Sequence, residues 1–225
     1  MATLDYAETW RFCIRSQQRF ASKRGYKHKI LDGMVHGLHP KWAKLQYVID
    51  ELRAGHHVLM IDADAQIRST APDPTELFPM GGDIFCVNGH SGRINSGFML
   101  FRAGEDSRAI KYLQQCLDTR GLPVLSENYV TAEGENGHII QVAKEPEFAE
   151  RITLLDSAWN CTTPEGERDA YILHYTSRLR KKLNSEGVAA ANEARTVLER
   201  MKATVERGRN RVQQIVRFRL KSAIK

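Results

Sequence analysis

The chain has 225 residues, 42% of them hydrophobic and 27% charged, which suits a globular protein with one α/β domain and room for an appendage. No apolar run reaches the roughly 18 residues of a membrane-spanning helix, and residues 1–10 lack the basic start and apolar core of a secretory leader. The net charge of +6 is unevenly spread: residues 178–225 hold 14 Lys/Arg against 4 Asp/Glu, the rest 19 against 23, so a mildly acidic body ends in a strongly basic tail.

In chain order, residues 4–24 carry Trp10, Ile14 and Phe20 near helical spacing and predict a first helix, stopped by Gly25. Residues 26–31 alternate polar and apolar side chains and predict a short strand. Pro40 opens a second helix over 41–54, with Trp42, Leu45, Val48, Ile49 and Leu52 on its inner face and Gly55 beyond its end. The run 57–61 is continuously apolar after its histidine, as in a central parallel strand buried on both faces. Further strands are expected over 83–87, 97–102, 138–142, 152–155 and 171–175, and helices over 106–118 and 128–134. This alternation predicts an α/β fold with a mostly parallel sheet flanked by helices. From about Ser177 the pattern changes. Val197, Met201, Val205, Val212, Ile215, Val216 and Leu220 fall at helical spacings among arginines, giving one or two basic amphipathic helices. Such a tail either packs on the domain or lies on an anionic membrane, with Phe218, Leu220 and Ile224 as apolar contacts. A single aromatic in the tail lacks the stacking platforms of single-strand nucleic-acid binders, so no nucleic-acid partner is expected.

The four cysteines, Cys13, Cys86, Cys116 and Cys161, are widely spaced without a CxxC pair, which argues against structural zinc or a disulfide framework and for a reducing, cytoplasmic setting. Asn160-Cys161-Thr162 matches a glycosylation sequon, read as chance in a chain without a leader. The chemistry concentrates elsewhere. Asp62 and Asp64 stand two residues apart just past the apolar strand, where ligands of α/β sheets bind. Charges placed there are costly unless paired or bound to metal, and hard oxygen ligands suit Mg²⁺ or Mn²⁺ bridging a diphosphate.

Four segments occur in order: Pro40-Lys-Trp-Ala-Lys44, Val58-Leu-Met-Ile-Asp-Ala-Asp-Ala65, Arg93-Ile-Asn-Ser-Gly-Phe-Met-Leu-Phe-Arg102 and Tyr171-Ile-Leu-His-Tyr175. Together they resemble the GT-A-fold (Rossmann-related) glycosyltransferases, in particular the galactosyl/mannosyl/xylosyltransferases of the fungal and plant Golgi type and their bacterial relatives. The galactosyltransferases of bacterial lipooligosaccharide synthesis are more distantly similar. The resemblance divides the chain into a nucleotide-sugar transferase domain over 1–177 and a basic amphipathic helical tail over 178–225.

Carried over residue by residue, the resemblance makes Asp62, Ala63 and Asp64 the D-x-D that meets metal and nucleotide, with His174 as third metal ligand. Asn95 and Ser96 line the donor-sugar pocket, with Gly97 admitting close backbone approach. Arg93 neutralises donor charge, Lys44 contacts donor or acceptor, and Thr3 and Tyr6 hold the nucleotide. Two departures stand out. Relatives begin with an apolar strand ahead of the Ala-Thr segment at which this chain starts. Where they carry Asp-Gln before a helix, Glu127-Asn128 stands here, as the residues nearest the anomeric carbon.

The implied activity is transfer of a sugar from a nucleotide-diphosphate donor, a UDP-sugar, to a glycan or glycolipid, dependent on Mn²⁺ or Mg²⁺ and retaining the anomeric configuration. Cell-envelope glycan synthesis at the inner membrane face suits the basic tail. The rival reading is a degenerate, non-catalytic transferase-like scaffold docking through that tail. Nucleotidyltransferases and phosphatases also pair aspartates on α/β sheets, but leave Asn95-Ser-Gly and His174 unexplained.

Overall fold

The computed structural model describes residues 4–31, 37–129, 134–187, 192–193, 196–202 and 204. Thr3 and the tail positions from Val205 onward lie outside them. The first helical stretch is two helices, α1 (Leu4–Thr9) and α2 (Arg11–Arg24), broken at Trp10, whose ψ of 21° is not helical. Gly25 ends α2 in the left-handed region, at φ 72°, where a side chain would be strained. Residues 26–31 do not form a strand: they make no ladder with any described strand, and a cavity separates residues 25–29 from the edge of the 58–61 strand. α3 (Pro40–Arg53) follows, then β1 (Val58–Ile61), β2 (Ala65–Ile67), β3 (Ile84–Asn88), β4 (Ile94–Phe101), α4 (Ala109–Asp118), α5 (Asn136–Ala143), α6 (Pro146–Ala149), β5 (Ile152–Leu155), β6 (Ile172–His174) and α7 (Ser177–Glu186).

Two expectations are corrected. Residues 138–142 are helical, the middle of α5: a five-residue apolar run fits either period, and here Tyr112 and Trp42 pack against it from α4 and α3. The expected helix over 128–134 is, where described, only the single turn Ser126–Asn128.

The main sheet has the order β1-β4-β3-β5, with β1/β4 and β4/β3 antiparallel and β3/β5 parallel. The sheet is therefore mixed rather than mostly parallel, and β1 lies at its edge. A continuous apolar run cannot reveal strand direction or rank, because both depend on which distant segment pairs with it. The strands sealed on both faces are β3 and the C-terminal half of β4. Ile84, Cys86, Met99 and Phe101 face α3, α4 and α5, while Phe85, Val87, Phe98 and Leu100 face α2, β2 and β6. A cavity of about 520 Å³ lies between residues 25–29 and the outer edge of β1.

A second, two-stranded sheet pairs β2 with β6. The first turns of the tail belong to the body: Leu179 and Leu183 of α7 are buried with Trp10, Phe12, Leu173 and Tyr175. Residues 196–202 are helical, with Val197, Leu198 and Met201 about half exposed or more. All four cysteines are buried free thiols, and burial pushes the Cys86 thiol up to about 12. No helix among the described residues is long and apolar enough to cross a membrane.

Candidate metal and donor site

The site is made by a register. β2 and β6 pair antiparallel with Ala65 opposite His174, and the Tyr175 N–H donates to the Asp64 carbonyl at 2.9 Å. That pairing brings His174 beside a turn more than a hundred residues upstream. The Asp62 N–H donates to the Gly97 carbonyl at 3.1 Å, and Gln17, buried on α2, donates its amide to the carbonyls of Asp62 (2.9 Å) and Ala65 (2.8 Å). The D-x-D turn is thus held by a strand, a helix and its own backbone.

A three-residue bulge shapes the opposite wall. Between β3 and β4 the register jumps from Cys86–Met99 to Val87–Asn95, so Ser96, Gly97 and Phe98 have no partner on β3, and Phe98 alone of the three stays paired with β1. The His174 ring packs on Gly97. A Cβ there would lie 2.0 Å from His174 Cε1 and 2.2 Å from Nδ1, so only glycine fits. The close approach that Gly97 permits is therefore to His174, where the sequence reading had expected ligand.

Asp62, Asp64 and His174 each offer one ligand atom within 4.8 Å of the others. Asp64 Oδ1 lies 3.3 Å and Asp62 Oδ2 3.8 Å from His174 Nε2. Two carboxylate oxygens and an imidazole nitrogen at these separations fit a first-row divalent ion or Mg²⁺ with positions left for further oxygen ligands. The other oxygen of each aspartate is already used. Lys44 Nζ sits 3.0 Å from Asp62 Oδ1 and 2.7 Å from Glu135 Oε1, while Asp64 Oδ2 accepts from the Tyr6 hydroxyl at 2.8 Å and is paired with Arg180. Three carboxylates thus face the cations of Lys44 and Arg180, with the His174 imidazole beside Asp62 and Asp64.

Electrostatics agree with the geometry. Burial alone would raise the Asp64 pKa, but His174, Tyr6 and Arg180 outweigh it and bring it down to about 2. Burial also works against the Lys44 ammonium, and Asp62 with Glu135 reverses that and holds its pKa above the ordinary value. Tyr6 is raised by burial and then by the Asp64 charge, so it stays a phenol that donates.

The remaining predicted residues take varied places. Ala63 is buried against Ile14. Ser96 is buried, its N–H donating to Asn136 Oδ1 (2.8 Å) and its hydroxyl to Glu135 (2.8 Å). Asn95 Oδ1 accepts from the Gly97 N–H at 3.0 Å. Arg93 donates to the carbonyls of Glu127 (2.8 Å) and Tyr129 (3.0 Å), clamping the 126–129 turn to the start of β4. The Glu127 carboxylate is exposed and pairs with Lys144 at 2.9 Å. Asn128 is fully buried, its Oδ1 accepts from Lys144 at 2.6 Å, and its Nδ2 has no hydrogen-bond partner among the described residues.

Five site residues escaped the sequence reading. Gln17 carried no local signal, and Asn160 carried only a sequon match that points to a different role. Arg180 was assigned to the tail. Glu135-Asn136 is an acid–amide pair directly ahead of a helix, the same pattern sought at Glu127-Asn128, and was hidden because 138–142 reads equally well as a strand.

No family model matches the sequence, and no curated protein matches it. Among solved structures, a crystal structure of a glycosyltransferase involved in the glycosylation of the major capsid of PBCV-1 is similar, with a TM-score of 0.58 at 15% identity, over 77% of this chain and 89% of that one. The apo form of mouse xyloside xylosyltransferase 1 matches at a TM-score of 0.36 and 14% identity, over 59% of this chain and 63% of that one, too low to carry weight. The fold is that of the GT-A glycosyltransferases, a mixed sheet flanked by helices.

Proposed function

We propose that the protein is a metal-dependent glycosyltransferase acting on a nucleotide-diphosphate sugar, a UDP-sugar, with a glycan or glycolipid acceptor and retention at the anomeric centre. The observation that carries this reading is the convergence of Asp62 Oδ2, Asp64 Oδ1 and His174 Nε2 on one point, on a glycosyltransferase fold. A Mn²⁺ or Mg²⁺ ion held by these residues would supply Lewis-acid stabilisation of the diphosphate leaving group. Arg180, fixed between Tyr6 and Asp64 and 40% exposed, adds positive charge where that negative charge develops. Lys44 ties Asp62 to the buried Glu135 and fixes the direction of the free Asp62 oxygen. Glu127, exposed at the rim, and Asn128, buried beside it, are the residues the resemblance sets nearest the anomeric carbon.

One observation favours the rival, non-catalytic reading: Lys44 and Arg180 already pair with both aspartates, so the site is partly neutralised by its own cations. Isothermal titration of UDP and GDP, each with and without Mn²⁺, separates the two. Binding of UDP that requires Mn²⁺ is expected. A folded protein that binds neither nucleotide under any metal condition would leave the scaffold reading standing.

The membrane-facing surface fits a glycolipid acceptor. A groove of about 1050 Å³ between α2 and residues 196–202 is lined by Arg15, Arg19, Lys23, Arg24, Arg68 and Lys202, with Glu199 the acidic residue among them. The exposed Val197, Leu198 and Met201 lie on the same short helix. Basic side chains beside exposed apolar ones suit peripheral docking on an anionic, cytoplasmic membrane face. Co-sedimentation with vesicles containing anionic phospholipid, and none with neutral vesicles, is the expected result. Equal pelleting with both, or retention of binding by Leu198→Glu, would remove the assignment.

A further inference from the structure

We infer that Asn160 is a positioning residue that fixes the tautomer of His174, so that Nε2 presents its lone pair to the metal position. The inference rests on the metal reading above. Its starting point is a backbone amide, whose hydrogen-bonding role cannot be reversed. The Gly97 N–H donates to Asn95 Oδ1 at 3.0 Å, which identifies that side-chain atom as the acceptor. Asn160 places a side-chain atom 2.9 Å from the same Asn95 oxygen, and only its Nδ2 can donate there. The opposite end of the Asn160 amide, Oδ1, therefore faces His174 Nδ1 at 3.1 Å. An amide oxygen can only accept, so Nδ1 carries the hydrogen and, in the neutral ring, Nε2 does not.

The consequence falls on the site. The Nε2 lone pair points at Asp64 Oδ1 and Asp62 Oδ2, two further acceptors. With the ring in that tautomer, the three acceptors together make a ligand set for a divalent cation. Each member of the relay is also held by backbone. Asn160 is 1% exposed and ends the single turn Ser157–Asn160, which Asp156 caps by accepting from the Ala158 N–H at 2.7 Å. The next residue, Cys161, pairs with β6 on both sides: its N–H donates to Ile172 (2.9 Å), and its carbonyl accepts from the His174 N–H (2.8 Å). The imidazole is meanwhile pressed onto Gly97, which leaves it one orientation. Burial also takes Asn160 away from any role as a sugar-modified sequon.

Mn²⁺ titration calorimetry on the full chain, with His174→Ala as control, tests the inference. Asn160→Ala is expected to weaken Mn²⁺ about 10- to 100-fold, the range for losing the partner of a ligating histidine. Asn160→Asp, which keeps an oxygen facing the Nδ1 hydrogen, is expected to recover most of that loss. In ¹⁵N spectra of the Mg²⁺-loaded protein, the His174 Nδ1 should read as protonated in the wild type and in Asn160→Asp. Should Asn160→Ala not fold, Asn95→Leu removes the acceptor that orients Asn160 and is expected to give mixed His174 tautomers. If His174→Ala leaves Mn²⁺ affinity unchanged, the metal reading fails and takes the relay with it. If His174→Ala weakens Mn²⁺ while Asn160→Ala does not, or if Asn160→Asp is as weak as Asn160→Ala, the metal site stands and the relay is overturned.

Discussion

Asp64→Ala is expected to eliminate Mn²⁺-dependent nucleotide binding and to lower sugar transfer by at least about 10³-fold, the scale of losing a principal stabiliser of developing charge. Asp64 gives the site its Oδ1 ligand, and its Oδ2 holds Arg180 and Tyr6, so one truncation disturbs the metal position and the nearest exposed cation together. The same carboxylate couples stability to pH. Its pKa is depressed from 3.8 to about 2 in the folded protein. A depressed acid stabilises the fold above its unfolded pKa and loses that contribution as pH falls through the folded one. In metal-free protein, roughly 2 kcal/mol present above pH 4 should disappear as pH drops towards 2. Acid unfolding followed by circular dichroism should be shallower over that interval in Asp64→Asn. An unchanged profile would mean that the ion pairs around Asp64 contribute no pH-dependent stability.

The second large effect is on folding. Lys44→Ala is expected to destabilise the protein by about 3–5 kcal/mol, the range for stranding one partner of a buried ion pair. Lys44 and Glu135 are each almost fully buried, and among the described residues Glu135 keeps the Ser96 hydroxyl as its hydrogen-bond donor once the ammonium is gone. Asp62 is 27% exposed at its side chain and can turn to water, so most of the penalty comes from Glu135. The double substitution Lys44→Met with Glu135→Leu should recover much of the stability, because an apolar pair of similar volume replaces the buried charges without an orphan. Urea unfolding of the wild type and the two variants measures both effects. A loss below about 1 kcal/mol for Lys44→Ala would show that Glu135 finds another partner or is protonated.

These two residues also show what could be seen before the structure. Lys44 and Asp62 were singled out by motif, and the structure joins them. Glu135 completes the trio and was missed, for a physical reason. The run His138-Ile-Ile-Gln-Val142 is too short to distinguish a period of 3.6 from one of 2, and a strand there conceals the acid–amide pair that opens a helix. Arg180 was lost differently. Charge counting put it in a basic appendage, whereas Leu179 and Leu183 bury one side of α7 and turn Arg180 back onto Asp64.

The sequence by itself determined what is local. The helix ends at Gly25 and Pro40, the apolar strands 83–87, 97–102 and 152–155, and the aspartate pair past an apolar run all depend on side-chain periodicity and backbone freedom within a few residues. The tertiary structure alone decided the pairings. It placed β1 at an edge and antiparallel to β4, set His174 opposite Ala65, and looped Ser96 and Gly97 out of the ladder so that an imidazole could lie on a glycine. Those outcomes depend on which distant segment supplies the complementary backbone hydrogen bonds and apolar face, and no local pattern records that choice.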